Sequence, residues 1–201
     1  MIGLLGRMVY RLRGWRLVGE LPPLKKFVII GAPHTSNWDG MFFLAGVADL
    51  GVRLRFLSKP ENLRGVRGPV FRYFGAIGVD RKSASNVVAD IAAQFEAHES
   101  FILALGPEGT RGYRPYWRSG FYHIARAAGV PIVPIGIHAA EKRIIIGPPI
   151  DLTGDVRADM DRIRAFYAAN SSGIYPDKAS PVRLREEVEG EDSNENAARL
   201  V

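Results

Sequence analysis

At 201 residues, with 47% hydrophobic and 24% charged side chains, the chain has the size and make-up of one globular domain able to bury a core and shape a pocket. It contains no cysteine, which excludes disulfides and thiol chemistry, and no run of about 18 apolar residues, which argues against a membrane span. The net charge of +6 hides an asymmetry, because the tail after Arg185 is acidic and leaves 26 basic against 15 acidic residues, or +11, on residues 1–185.

Such a field favours anionic partners: phosphate-bearing small molecules, lipid headgroups or nucleic acid. At the start of the chain, Ile2, Leu5, Met8, Val9, Leu12 and Trp15 recur at helical spacing among Arg7, Arg11, Arg13 and Arg16. Residues 1–16 therefore read as a basic amphipathic helix, suited either to an anionic membrane interface or to packing its apolar side on the domain. The arginines do not precede the apolar part, as they would in a cleaved signal peptide. Residues 17–185 form the domain, and 186–201 read as a mobile acidic tail.

Pro22-Pro23 marks a turn and 27–31 a buried strand; 41–50 is predicted helical and 53–58 a second strand. Residues 62–80 hold Gly65, Gly68, Pro69, Gly75 and Gly78, too broken for one long helix, and predict loops with a short helix near 69–74. Helices are expected over 86–97, 119–128 and 156–169, and strands over 101–105, 130–137 and 143–146. This alternation predicts an α/β fold, with a mixed central sheet covered by helices.

The stretch Pro33-His34-Thr35-Ser36-Asn37-Trp38-Asp39 stands between the first strand and the helix after it. His34 is a candidate general base and Asp39 a candidate partner to orient it. On a regular helix residues five apart lie about 140° apart, so the chain must turn between them. Ser36 and Asn37, both N-cap types, support that turn. The same residues also admit a capping box from Ser36 to Asp39, with His34 an ordinary loop residue.

The second loop of interest, Gly106-Pro107-Glu108-Gly109-Thr110-Arg111, likewise follows a strand, and α/β folds gather their sites at such strand ends. Gly106 and Gly109 permit close backbone approach, and Arg111 offers a planar fork for phosphate oxygens. A plain Gly-Pro turn with an exposed arginine is the simpler alternative. There is no Gly-Lys-Ser/Thr ending, so nucleotide hydrolysis is unsupported.

Together the two loops resemble the glycerolipid acyltransferase family, typified by 1-acylglycerol-3-phosphate acyltransferases. His34 to Asp39 matches its H-x4-D motif, and Pro107 to Arg111 its P-E-G-T-R motif, residue for residue. Lys59-Pro60-Glu61, with Pro69, Gly75 and Arg81, resembles the region between, and Val130 to Pro134 the fourth block. The blocks stand in family order over residues 30–137. Pro33 replaces the family's usual asparagine before the histidine, and Gly106 its usual aromatic.

The resemblance implies an O-acyltransferase that moves a fatty acyl group from acyl-CoA or acyl-carrier protein to a hydroxyl of a lysophospholipid acceptor, without a cofactor. It implies His34 as base and Asp39 as its orienting partner. Glu108, Gly109, Thr110 and Arg111, with Lys59 and Arg81, are implied at the acceptor's phosphate. It further implies peripheral or monotopic attachment to an anionic membrane surface on the cytoplasmic face. Alternatives are a different lipid or headgroup hydroxyl as acceptor, or a catalytically silent lipid-binding member. No nucleic-acid-binding module is recognisable. His98 reads as exposed, His123 as a packing residue and His138 as a loop residue, and no clustered His/Asp pattern suggests a metal.

Overall fold

Alternate apolar residues of the strands at 26–32, 101–105 and 132–138 point to opposite sides of one sheet, and both sides are buried. The structure is a computed structural model that describes residues 11–36, 51–79 and 84–188. Its strands are β1 (Arg16–Val18), β2 (Lys26–Ala32), β3 (Leu54–Ser58), β4 (Ala76–Gly78), β5 (Phe101–Leu105), β6 (Ile132–His138) and β7 (Arg143–Ile146). They form a seven-stranded sheet in the order β1-β7-β6-β2-β5-β3-β4. Every pairing is parallel except the hairpin of β6 with β7, which makes the sheet mixed as expected.

Val28, Ile30, Phe101 and Leu103 face one core with Ile91, Phe95, Phe121, Ile124, Ile163 and Tyr167, side chains of three helices. These helices are α2 (Ala84–Ala97), α3 (Gly120–Ala128) and α4 (Val156–Asn170); the short α1 (Gly68–Tyr73) precedes β4. Phe27, Ile29, Ile102, Val133, Ile135 and Ile144 face the second core. Burial of this order, about 1.5–3 kcal/mol per large apolar side chain, dominates the stability of the sheet. Among the described residues no helix is long and apolar enough to cross a membrane.

Three expectations change. Trp15 does not continue an N-terminal helix: helix stops at Leu12, Gly14 turns the chain at φ +78°, and Trp15 enters the second core just before β1. Alternation of Trp15 and Leu17 on the core side explains this better than helical spacing. Residues 1–10 of the amphipathic segment lie outside the described residues, as does the helix expected over 41–50. The acidic tail does not begin loose at 186: residues 185–188 are helical, Glu187 pairs with Arg164 on α4, and its other oxygen accepts the N–H of Leu184. Finally, β1 and β4, each three residues long at a sheet edge, were not expected at all.

Candidate active site

β2 and β5 run side by side in parallel, with Ile30 opposite Leu105, so the loops that leave their carboxyl ends emerge together. From β2 come Pro33, His34, Thr35 and Ser36; from β5 come Gly106 to Arg111. β3 is the next strand on the far side of β5 and ends at Ser58, delivering Lys59 to the same rim. Three of the sequence-derived site segments are thereby brought into one row. His34 is half-buried, Thr35 and Ser36 are buried, and Lys59 and Arg111 are exposed. Asp39 and Arg81 lie outside the described residues.

Glu108 joins the two principal loops from beneath. Its side chain is buried, at 2% exposure. Oε2 accepts the backbone N–H of His34, and Oε1 accepts the backbone N–H of Ser180 at 3.0 Å. A buried carboxylate is costly unless hydrogen bonds compensate it, and charge-assisted bonds of this kind are the strong ones. The bend after it is local. Gly109 takes φ +64° and donates its N–H to the Gly106 carbonyl at 3.1 Å, and a side chain there would run into Arg118. Thr110 accepts the Gly112 N–H through its hydroxyl at 3.4 Å. The bend leaves Arg111 on the outer surface, one turn beyond the buried glutamate.

A third segment, 171–184, completes the rim and was not foreseen. The N–H of Tyr175 donates to Thr35 Oγ1 at 3.1 Å, beside the N–H of Ser180 on Glu108. The Ser180 hydroxyl accepts the N–H of Arg114 at 3.0 Å, and the Arg183 carbonyl accepts the N–H of Trp117 at 2.8 Å. Gly173, at φ +65°, lets this strap lie against the first loop: a Cβ there would stand 2.9 Å from Pro33 Cγ and 3.2 Å from Thr35 Cγ2. Most of these bonds use main-chain groups, which every residue type carries, so the only sequence signal was a Gly-to-Pro turn pattern at Gly173 and Pro176.

Behind the loops, Tyr167 of α4 donates its hydroxyl to the Ile30 carbonyl at 2.6 Å, anchoring the end of β2 three residues before Pro33. Burial pushes the Tyr167 phenol well above its ordinary value, and the nearby Glu108 carboxylate pushes it the same way. A cavity of about 330 Å³ opens beside Ala32 and Pro33, walled by Trp117, Tyr167, Pro176, Ala179 and Val182 with Ser171, Ser172 and Ser180.

The remaining histidines lie at the end of α2, on α3 and at the end of β6, which runs parallel to β2 and ends on the same side of the sheet. His98 closes α2 with Nδ1 2.9 Å from the Gln94 carbonyl, and its ring lies against Phe101. His123 points outward on α3, 3.6 Å from Glu186, rather than packing in the core: its neighbours Phe121, Tyr122, Ile124 and Ala125 occupy the buried side of the helix. His138 is the last residue of β6, 3.8 Å from Glu141. Among the described residues no group of three or more His, Asp or Glu side chains could hold a metal ion.

The arrangement brings a half-buried histidine, a residue type suited to proton transfer, to the same rim as the exposed cations Lys59 and Arg111. Comparison of folds finds the 1-acyl-sn-glycerophosphate acyltransferase PlsC of Thermotoga maritima, with a TM-score of 0.57 and 16% identity over 84% of this chain and 78% of that one. At that identity the likeness concerns the fold. Comparison with curated protein sequences returns no match. A family model described as Acyltransferase, in contrast, matches residues 17–138, more than half of the chain and both loops of the rim, and the protein belongs to that acyltransferase family.

Proposed function

We propose that the protein transfers a fatty acyl group from acyl-CoA or acyl-carrier protein to the free hydroxyl of a 1-acylglycerol-3-phosphate-type lysophospholipid. The carrying observation is that the His34 loop and the Glu108–Arg111 loop emerge from adjacent parallel strands and are joined by the Glu108–His34 hydrogen bond. His34 takes the proton of the acceptor hydroxyl as its oxygen attacks the thioester carbonyl carbon. The tetrahedral intermediate collapses with cleavage of the C–S bond, and the departing thiolate recovers the proton from the imidazolium, leaving ester and free thiol. Asp39, the other half of the H-x4-D motif, holds the imidazole tautomer and stabilises the imidazolium.

Arg111, exposed at the rim, binds the acceptor's phosphate, with Lys59 and Arg81 adding positive charge. Gly109 and Thr110 shape the bend that presents it. Glu108 we assign to positioning rather than to the acceptor, because both its oxygens face backbone N–H groups and a buried anion would repel a phosphate. The cavity beside Pro33 is the space next to the base where an acyl chain would lie. The protein works as a peripheral or monotopic protein at the cytoplasmic face of an anionic membrane, with the N-terminal residues up to Leu12 as one contact.

Release of free thiol from acyl-CoA, measured against a panel of lysophospholipids, tests the reading. Release dependent on lysophosphatidic acid supports it. Dependence on another lipid hydroxyl would move the acceptor, and no release with any acceptor from acyl-CoA or acyl-carrier protein would leave a binding protein.

A further inference from the structure

The crossover between β3 and β4 buries Gly68 and exposes four of its large apolar side chains. Residues Gly65–Arg67 form a 3-10 turn that runs directly into α1, and the N–H of Phe74 donates to the Val70 carbonyl at 3.2 Å, adding a last helical bond. Along this run Val66, Val70, Tyr73 and Phe74 are 93%, 54%, 77% and 49% exposed. Their spacing of four, three and one places them on one side of a helix. Gly68 lies on the opposite side and is buried so closely that a Cβ would stand 2.2 Å from the Leu63 carbonyl oxygen. The helix is thus packed by its small side, and its apolar stripe faces outward.

The sequence around the stripe is predominantly basic. From residue 53 to 74 the sequence carries Arg53, Arg55, Lys59, Arg64, Arg67 and Arg72 against the single acid Glu61. Arg53, Lys59 and Arg64 are exposed, as is Arg72, which donates to the Leu63 carbonyl at 2.9 Å on the Gly68 side of the helix. Exposed aliphatic and aromatic side chains on a segment this rich in basic residues are complementary to an anionic bilayer: the apolar groups enter the headgroup boundary while basic groups meet phosphates.

We propose that the Val66–Val70–Tyr73–Phe74 stripe is a second membrane contact, docking the β4 edge of the sheet onto an anionic lipid surface. It is separate from the N-terminal segment, which leads into β1 at the other edge of the sheet from β4. The inference rests on the membrane part of the proposed function but not on its chemistry. The occupant is a lipid surface rather than a protein because the exposed stripe ends in two aromatics, Tyr73 and Phe74, on a segment with six basic residues against one acid.

The absence of cysteine makes the test direct. The full chain carrying Tyr73→Cys is labelled with a polarity-sensitive fluorophore, with Asp161→Cys on exposed α4 as control. Both are mixed with phosphatidylcholine vesicles with and without phosphatidylglycerol. A blue shift at position 73, absent at 161 and dependent on phosphatidylglycerol, is expected. The unlabelled variant Val66→Ser/Val70→Ser/Tyr73→Ser, checked for native circular dichroism, is expected to partition about tenfold more weakly onto the anionic vesicles. It should retain thiol release with water-soluble short-chain substrates. A label at 73 that stays water-like on bound vesicles, or a triple variant that binds as well as the parent, overturns the proposal. So does a shift produced by acyl-carrier protein without vesicles, which would make the stripe a protein-docking face. Failure of the acyl-transfer reading would show instead as absent thiol release in parent and variants alike.

Discussion

The carboxylate of Glu108 accepts the backbone N–H of His34, tying together two loops that stand 74 residues apart in sequence. The bond is made to the main chain of the histidine and so holds its Cα in place. The second oxygen of Glu108 does the same for Ser180. One buried carboxylate therefore sets the spacing of three chain segments at the rim.

Glu108→Gln separates positioning from acceptor binding. The amide keeps size and one acceptor but turns an NH2 toward one of the two backbone N–H donors, where a hydrogen bond to a charged group is worth about 1.5–3 kcal/mol. Turnover number is expected to fall about 10- to 100-fold, since misplacement of a base by a fraction of an ångström is costly. KM for the lysolipid should stay within about twofold. Arg111→Ala should show the converse, a raised acceptor KM. Steady-state kinetics with varied acceptor measures both. A large KM effect in Glu108→Gln would place the carboxylate at the acceptor instead.

His34→Ala is expected to abolish transfer, with a loss of about a thousandfold or more when a general base is removed. The fold should persist, because the side chain is only half-buried and the loop is held by main-chain bonds. Thiol release and a thermal melt on the same sample check the prediction. Full turnover in a folded variant would remove His34 from the chemistry.

How far the sequence could be read follows from how each element is stabilised. β2 and β5 are buried on both faces, and such strands stand out as unbroken apolar runs such as Phe27 to Ile30. β1 and β4 have three residues each, and their pairing with β7 and β3 depends on register that no local pattern encodes. The two motif loops were legible because the motifs are patterns of side-chain identity, from His34 to Asp39 and from Pro107 to Arg111. The 171–184 strap was not, because Tyr175 and Ser180 reach the site through main-chain N–H groups. The exposed stripe of α1 escaped for another reason: the glycines and prolines that interrupt it mask its helical spacing.

Gly173→Ala tests the strap. The glycine sits at φ +65°, which an L side chain adopts at a cost of about 1 kcal/mol or more, and the new Cβ would press on Pro33 Cγ at 2.9 Å. A loss of about 1–3 kcal/mol in urea unfolding is expected, together with lower turnover, because the displaced atoms adjoin His34. An unchanged midpoint and unchanged activity would show that the segment does not brace the loop.

Acid stability should depend on Asp159, the fully buried carboxylate at the start of α4. Burial by itself would raise its pKa. The N–H groups of Thr153 and Gly154 and the hydroxyls of Tyr122 and Thr153 outweigh burial and hold it at about 2. Because the folded value lies below the unfolded one, the carboxylate stabilises the protein fully above about pH 5. It loses that contribution, about 2 kcal/mol, as pH falls toward 2. Thermal midpoints across pH 2–7 should therefore drop on the acid side. In Asp159→Asn the midpoint should be lower at pH 7, because an amide hydrogen faces an N–H donor, and its further fall below pH 5 should be shallower than in the parent. Parallel acid limbs in the two proteins would assign the acid sensitivity to other carboxylates.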